Sequence, residues 1–321
     1  MSTYFDQQLF SSNSSKIISS GRPPYLIAEI GLNHNNDMVL TKEMIEAAAE
    51  SGADAVKFQS YFVDSFIVKK EPKMEGLYDI FKTYELGEDE HYELKEFSES
   101  RGLDYFSTPL TVEWVKILVE LKVPYIKVAS GDLNNYLLLK EIVKYNTPVI
   151  ISTGNSSLDN INDCAAFFRL HKKKNIMFLH CISVYPASND ELMLGTIPVI
   201  QKELDVLVGY SDHSIGTDAA FAAVSMGAVA IEKHFTLDKN LPGPDHSISA
   251  EPEDLKSIRK KIDLAYEMCR SSREEPLPEE SESDYFGKRS IYNVKGKDVA
   301  MRPRKKGLPQ DDEYFTLKSR D

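Results

Sequence analysis

A repeated rhythm restricts what this chain can fold into more than any other feature: a short apolar run, then a longer stretch with helical spacing. The runs fall at 25–30 (YLIAEI), 54–59 (DAVKFQ), 103–108 (LDYFST), 125–130 (YIKVAS), 148–153 (PVIIST), 175–181 (NIMFLHC), 206–211 (VLVGYS) and 228–234 (AVAIEKH). Each has strand length and is largely apolar, as a strand covered on both faces must be. Residues 38–51, 88–101, 111–121, 135–145, 158–171, 189–202 and 215–226 carry helical periodicity between them, and 253–269 supplies an eighth such stretch. Strands alternating with helices require a parallel sheet with right-handed crossovers. Eight units between residues 25 and 270 match the roughly 250 residues of a closed (β/α)8 barrel of the TIM type. The runner-up is a doubly wound open sheet, which usually carries a glycine-rich phosphate turn after its first strand. Here that turn reads Glu29-Ile30-Gly31-Leu32-Asn33-His34, with neither GxGxxG nor a Walker lysine.

The remainder is organised around those units. Residues 1–24 form an N-terminal extension with a short strand expected at 16–18. The interruption at 63–87 is too long for an ordinary βα loop and reads as a lid or partly helical excursion over one face. Residues 271–285 are an acidic, Pro- and Ser-rich linker. Residues 286–321 are a short basic piece, too small to bury a core of its own, and should dock on something. The net charge of −12 argues against a nucleic-acid partner. No apolar run approaches the ~18 residues of a membrane span. The N-terminus has no signal-peptide pattern, and Cys164, Cys181 and Cys269 give no disulfide framework or zinc knuckle. Cytoplasmic residence is the default expectation.

Chemistry concentrates at the carboxyl ends of the runs, where barrels place their active sites. In order these carry Glu29; Lys57 and Gln59; Ser107 and Thr108; Lys127 and Ser130; Ser152 and Thr153; His180, Ser183 and Tyr185; Ser211 and His213; Glu232 and His234. Ionisable residues at the ends of buried strands are costly unless paired or bound to ligand. Lys127 alternates with Ile126 and Val128, which turns it inward. The two lysines read as core lysines paired with Glu29 or Glu232, or as anion-capturing groups, and an empty site would satisfy both readings. His213 and His234 on neighbouring strands make a two-histidine metal face, with Glu29, Glu232 and Asp245 in reach. Such mixed ligation suits Mn2+, Fe2+, Co2+ or Zn2+ better than Mg2+ or Ca2+.

These residues sit in the motifs EIGLNHNN (29–36), KFQSYF (57–62), STP (107–109), KVASGDLNN (127–135), IISTGNS (150–156), HCISVYP (180–186), GYSDHS (209–214) and EKHFTLDKNLPGPDH (232–246). Together they closely resemble the N-acetylneuraminate (sialic acid) synthase family, which includes the legionaminate and pseudaminate synthases, over about residues 17–270. The resemblance implies a phosphoenolpyruvate-dependent condensation with an N-acetylated mannose-type aldose, giving a nine-carbon 2-keto sugar acid and phosphate. It implies Mn2+ on His213 and His234, and phosphoenolpyruvate on Lys57, Thr108, Lys127, Ser130, Ser152, Ser183 and Ser211. Gln59, Asp132, Tyr185 and Asp245 would hold the open-chain sugar, with Glu29 and Glu232 beside the reacting centre. Asp132 stands where much of the family has glutamate, and Ser183 where some members have asparagine. The tail resembles a shortened antifreeze-like (SAF) domain, which in a homodimer caps the partner's site, and Arg302 or Arg304 would be the remnant of its sugar-binding arginine. Two other readings are a catalytically impaired sugar-phosphate binding protein on the same barrel, and a metallo-hydrolase. The hydrolase usually opens with HxH on its first strand, which EIGLNH lacks.

Overall fold

The structure is a computed structural model, described here for residues 3–71 and 73–304. The chain divides after Arg270 into two compact units. In the first, a hairpin of β1 (Gln8–Phe10) and β2 (Ile17–Ser19) precedes eight parallel strands that close on themselves. These are β3 (Tyr25–Gly31), β4 (Ala55–Ser60), β5 (Asp104–Pro109), β6 (Ile126–Val128), β7 (Val149–Ser152), β8 (Ile176–His180), β9 (Leu207–Asp212) and β10 (Ala230–His234). The barrel closes where β10 pairs with β3, so no strand edge is left to solvent. The expected fold class, a (β/α)8 barrel, is the observed one.

Helices cover the outside in the expected alternation. They are α1 (Met38–Glu50), α2 (Val63–Phe66), α3 (Glu75–Thr83), α4 (Glu88–Ser100), α5 (Val112–Glu120), α6 (Tyr136–Ile142), α7 (Leu158–Leu170), α8 (Thr196–Leu204), α9 (Asp218–Ser225) and α10 (Pro252–Cys269). Each turns an apolar stripe onto the strands, as α5 does with Trp114, Val115 and Leu118, all fully buried. Each such side chain contributes roughly 1.5–3 kcal/mol by leaving water. Two helices start later than periodicity predicts. Met193 sits at φ 47°, in the left-handed region, and stops a helix from running through 189–202. Gly216, at φ 92°, does the same ahead of α9. The 63–87 excursion contains α2 and α3 and has a small core of its own in Leu32, Tyr61, Val63, Ile67 and Tyr78.

The extension plugs one end of the barrel. Leu9 and Ile18 join the main core, while Lys16 Nζ donates to Gly102 O and Asn13 Nδ2 to Val123 O, both just ahead of strands. Ser14 and Tyr25 both donate to Asp104 Oδ2 at 2.6 Å. The amino ends of the strands are thus closed, and the carboxyl ends stay open.

The second unit is described by itself. A helical segment, α11 (Ser281–Gly287), follows a 3-10 turn at Pro278–Glu280, so the acidic linker expected over 271–285 is partly helical. An antiparallel hairpin of β11 (Ser290–Val294) and β12 (Lys297–Met301) comes next. Of the expected 286–321 segment, residues 305–321 lie outside the described residues. Among the described residues no helix is long and apolar enough to cross a membrane.

Candidate active site

Alternation along β9 and β10 decides which residues reach the barrel axis. Ser211 and Glu232 are register partners and hydrogen-bond at 2.9 Å, and His213 and His234 follow two residues on, as period 2 requires. The residues between them point the other way. Lys233 Nζ meets Asp212 Oδ2 at 2.8 Å and also donates to Ser214 O, a fully buried pair that ties the two strand ends together from behind. Next to β10, register pairs His234 with Glu29 and Glu29 with Lys57, setting three chemically active residues side by side on β10, β3 and β4. Gly31 makes room for them. It lies at φ +54°, where the β3 register shifts, and a Cβ there would stand 3.2 Å from Glu29 Oε1.

The result is a cavity of about 320 Å3 at the carboxyl ends of the strands. Of the residues expected in the site, Glu29, Lys57, Gln59, Thr108, Lys127, Ser130, Ser152, Ser183, Tyr185, Ser211, His213, Glu232 and His234 all line it. Asp245 stands just behind, with Oδ2 3.8 Å from His234 Nδ1. Asp132 lies outside the lining, on the 3-10 turn Ser130–Asp132, and accepts from Asn135 Nδ2 at 2.9 Å. Arg302 is exposed and belongs to the second unit, after β12. His180 turns aside and donates from Nε2 to Leu192 O at 2.8 Å. His246, which had no assigned role, is a loop brace, with Nδ1 2.7 Å from Thr236 Oγ1 and Nε2 3.3 Å from Asn35 Oδ1.

One side of the cavity is ionic. Lys57 Nζ lies 2.6 Å from Glu29 and 3.7 Å from Glu232, and donates to Thr108 Oγ1 at 3.1 Å. Lys127 Nζ lies 3.8 Å from Glu232 and donates to Ser152 Oγ at 2.6 Å. Both lysines therefore satisfy the core-pairing reading while facing the cavity. The two carboxylates are pushed apart. Burial raises Glu29 to about 7, against the pull of Lys57 and with the help of Glu232. Glu232 is held down at about 2, because Lys127, Lys57 and the Ser211 hydroxyl outweigh its burial. Burial pulls Lys127 below its ordinary value, with Lys57 adding to the effect and Glu232 opposing it.

The other side is neutral. Burial lowers His213 to about 4, and so does the neighbouring imidazole. Burial likewise lowers His234 to about 4, with Lys57 adding to it. The rings stand 5.8 Å apart between centroids, with Tyr185 stacked on His213 at 4.2 Å. His213 donates from Nδ1 to Ile182 O at 2.7 Å, which leaves Nε2 with its lone pair. His234 Nδ1 is buried without a hydrogen-bond partner. Among the described residues no group of three or more His, Cys, Asp or Glu is gathered to hold a metal ion. The pair nonetheless fits a metal as a partial ligand set: two uncharged imidazoles, one with an orphaned nitrogen, leaving positions open as catalytic sites do.

Sequence reasoning missed the apolar part of the wall, Phe66, Phe81 and Leu110. The first two come from the 63–87 excursion, whose length was the only signal. It also gave Cys181 no place in the site; the thiol is buried and lines the cavity, with Sγ 3.1 Å from Ser130 Oγ.

The NeuB family description matches residues 44–274. An uncharacterized protein of Methanocaldococcus jannaschii is 42% identical over 302 residues, 94% of this chain and 85% of its own. The N,N'-diacetyllegionaminic acid synthase of Legionella pneumophila is 36% identical over 293 residues, 87% of this chain and 82% of its own. The crystal structure of an N-acetylneuraminic acid synthetase from Leptospira borgpetersenii, in complex with citrate, has a TM-score of 0.81 at 33% identity and covers 87% of this chain and 95% of that one. The family match spans β4 through β10, with the strand ends that carry Lys57, Lys127, His213 and His234, and this chain belongs to the NeuB family of sialic-type (nonulosonic) acid synthases and is an enzyme of that class.

Proposed function

We propose that the protein condenses phosphoenolpyruvate with an N-acetylated mannose-type aldose, giving a nine-carbon 2-keto sugar acid and phosphate, with a divalent metal such as Mn2+ held by His213 and His234. The observation that carries this reading is the pairing, in one cavity, of a buried two-lysine wall with an uncharged two-histidine wall. Lys57 and Lys127 have carboxylate partners within 4 Å and can exchange them for the carboxylate and phosphate of phosphoenolpyruvate, in charge-assisted hydrogen bonds. Thr108, Ser130, Ser152, Ser183 and Ser211 add neutral donors around that anion.

In the reaction the enol carbon bonds to the aldehyde carbon, whose oxygen takes a proton. Water then adds at the phosphate-bearing carbon and gives up a proton, and phosphate leaves. Glu29, raised to about 7, is the group suited to carry protons near neutral pH. Glu232 stays ionised and fixes both ammonium groups. A metal bound between the imidazoles would polarise the sugar carbonyl as a Lewis acid. Tyr185 and Asp245 stand on the histidine side and Gln59 follows Lys57 on β4, all three available to the sugar's polar groups; Asp132 and Arg302 remain sugar-binding candidates by resemblance alone. Phe66, Phe81 and Leu110 give an apolar surface for acetamido methyls. In this reading the enzyme works as a homodimer.

The test is phosphate release from phosphoenolpyruvate with Mn2+ and either N-acetylmannosamine or its 4-acetamido-6-deoxy analogue. Phosphate and keto-acid formed in equal amounts are the expected result. Metal-loaded, folded protein that releases none with any N-acetylated aldose would refute the reading.

A further inference from the structure

Three polar side chains from different strand ends converge on one backbone position in the cavity wall. Ser130 follows β6, and Cys181 and Ser183 follow β8. A Cβ built on Gly154, two residues past β7, would lie 2.8 Å from Ser130 Oγ and 2.9 Å from Cys181 Sγ, and nearer still to Ser183 Oγ. Real Cβ atoms essentially never come within 3.0 Å of such neighbours. Gly154 is not among the glycines in the left-handed region, so its backbone can accept other residues, and what a Cβ there would disturb is the placement of these three side chains.

The same residue also sets a direction. Gly154 N–H donates to Ser130 Oγ at 3.1 Å. With that lone pair occupied, the Ser130 hydroxyl proton points elsewhere, toward Cys181 Sγ at 3.1 Å or toward a ligand oxygen in the cavity. We propose that Gly154 is a positioning residue of the anion subsite: its missing Cβ lets Ser130, Cys181 and Ser183 close one wall, and its amide aims the Ser130 hydroxyl at the bound anion. The proposal rests on the reading of this cavity as the phosphoenolpyruvate site.

A methyl group at 154 need not break the fold. A serine clears it by rotating about χ1, and Cys181 and Ser183 also line a second cavity of about 580 Å3 that offers displaced atoms room. What is lost is donor direction, a loss the anion feels and the sugar does not.

The test is calorimetric binding of phosphoenolpyruvate to wild type and Gly154→Ala, both loaded with Mn2+, alongside sugar KM and melting temperature. Gly154→Ala is expected to bind phosphoenolpyruvate about tenfold or more weakly, the loss of one hydrogen bond to a charged group, with sugar KM within about twofold. In a Ser130→Ala background, where the hydroxyl that Gly154 aims is gone, the same change is expected to cost about threefold or less, because the two sites are coupled. A wild type that binds, with a Gly154→Ala that binds equally well, overturns this inference alone. An equal cost in the Ser130→Ala background, or unfolding in both backgrounds, overturns the argument that Gly154 acts through Ser130. A folded wild type that does not bind phosphoenolpyruvate overturns the parent reading and this one with it.

Discussion

The lysine wall and the histidine wall of the cavity are built in contrasting ways. Lys57, Lys127, Glu29 and Glu232 answer one another's charge within 4 Å, so that wall is complete before anything binds. His213 and His234 have no such closure: both are uncharged at neutral pH, and one buried nitrogen has no partner. A compensated wall belongs to the fold as much as to the chemistry, and no member of it can be removed alone without leaving a bare charge. An uncompensated wall is held by what surrounds it, and its members can be removed at less cost.

Acid should break this contrast most severely, and from the histidine side. Imidazoles at about 4 in the folded chain and 6.5 as the ordinary value bind protons mainly when unfolded between those limits. Their contribution to stability is therefore full above pH 6.5 and is lost as pH falls toward about 4. Each tenfold difference in proton affinity between the folded and the unfolded chain is worth ~1.4 kcal/mol, so the two imidazoles together amount to several kcal/mol. Glu232, at about 2, stays ionised through that window, while Glu29, raised to about 7, takes up its proton first in the folded chain and offsets part of the loss. Urea unfolding of the metal-free protein at pH 7 and pH 5 should show the loss, and a shallower loss in His234→Ala. An identical pH slope in the variant would mean that His234 titrates as an ordinary histidine.

Glu232→Ala comes next. It removes the carboxylate shared by both lysines, and breaking a buried pair in this way typically costs about 3–5 kcal/mol. His213→Ala should cost only about 1–2 kcal/mol, from the Tyr185 stack and the hydrogen bond to Ile182 O. It should nonetheless abolish Mn2+ binding and turnover together. If the two variants were equally destabilised at pH 7, the contrast between the walls would be wrong. If His213→Ala retained turnover, the ligand assignment would be.

The barrel was legible because eight apolar runs of strand length leave few other ways to bury them. The inward lysines and histidines were legible for a related reason, since period 2 fixes which residues of a strand share a face. Four features were not. The β1–β2 pairing rests on three-residue strands, too short to show a period. The late starts of α8 and α9 depend on the backbone at Met193 and Gly216, where no change in hydrophobic spacing marks the break. Phe66 and Phe81 reach the cavity only because a separate small core folds their segment over it, a tertiary effect with no local trace. The opposite shifts of Glu29 and Glu232 were also out of reach, because they depend on which carboxylate sits between both lysines.

Asp245 offers the smallest and most discriminating test, since it stands at the edge of the histidine wall. Its side chain is 22% exposed, and its carboxylate lies 3.8 Å from the orphaned His234 Nδ1. Asp245→Asn keeps the shape and removes the charge, so stability should stay within about 0.5 kcal/mol, as for other partly exposed substitutions. If Asp245 orients His234, Mn2+ affinity should fall by about 10-fold or more, as loss of an outer partner to a ligand typically does, and sugar KM should follow only through the metal. If it binds sugar, the expected result on the proposed reading, sugar KM should rise several-fold while Mn2+ affinity holds. Calorimetry with Mn2+ and steady-state kinetics at saturating metal separate the two. A loss of metal affinity at unchanged sugar KM would move Asp245 from the substrate to the metal, and the histidine wall would then gain the closing charge that distinguishes the lysine wall now.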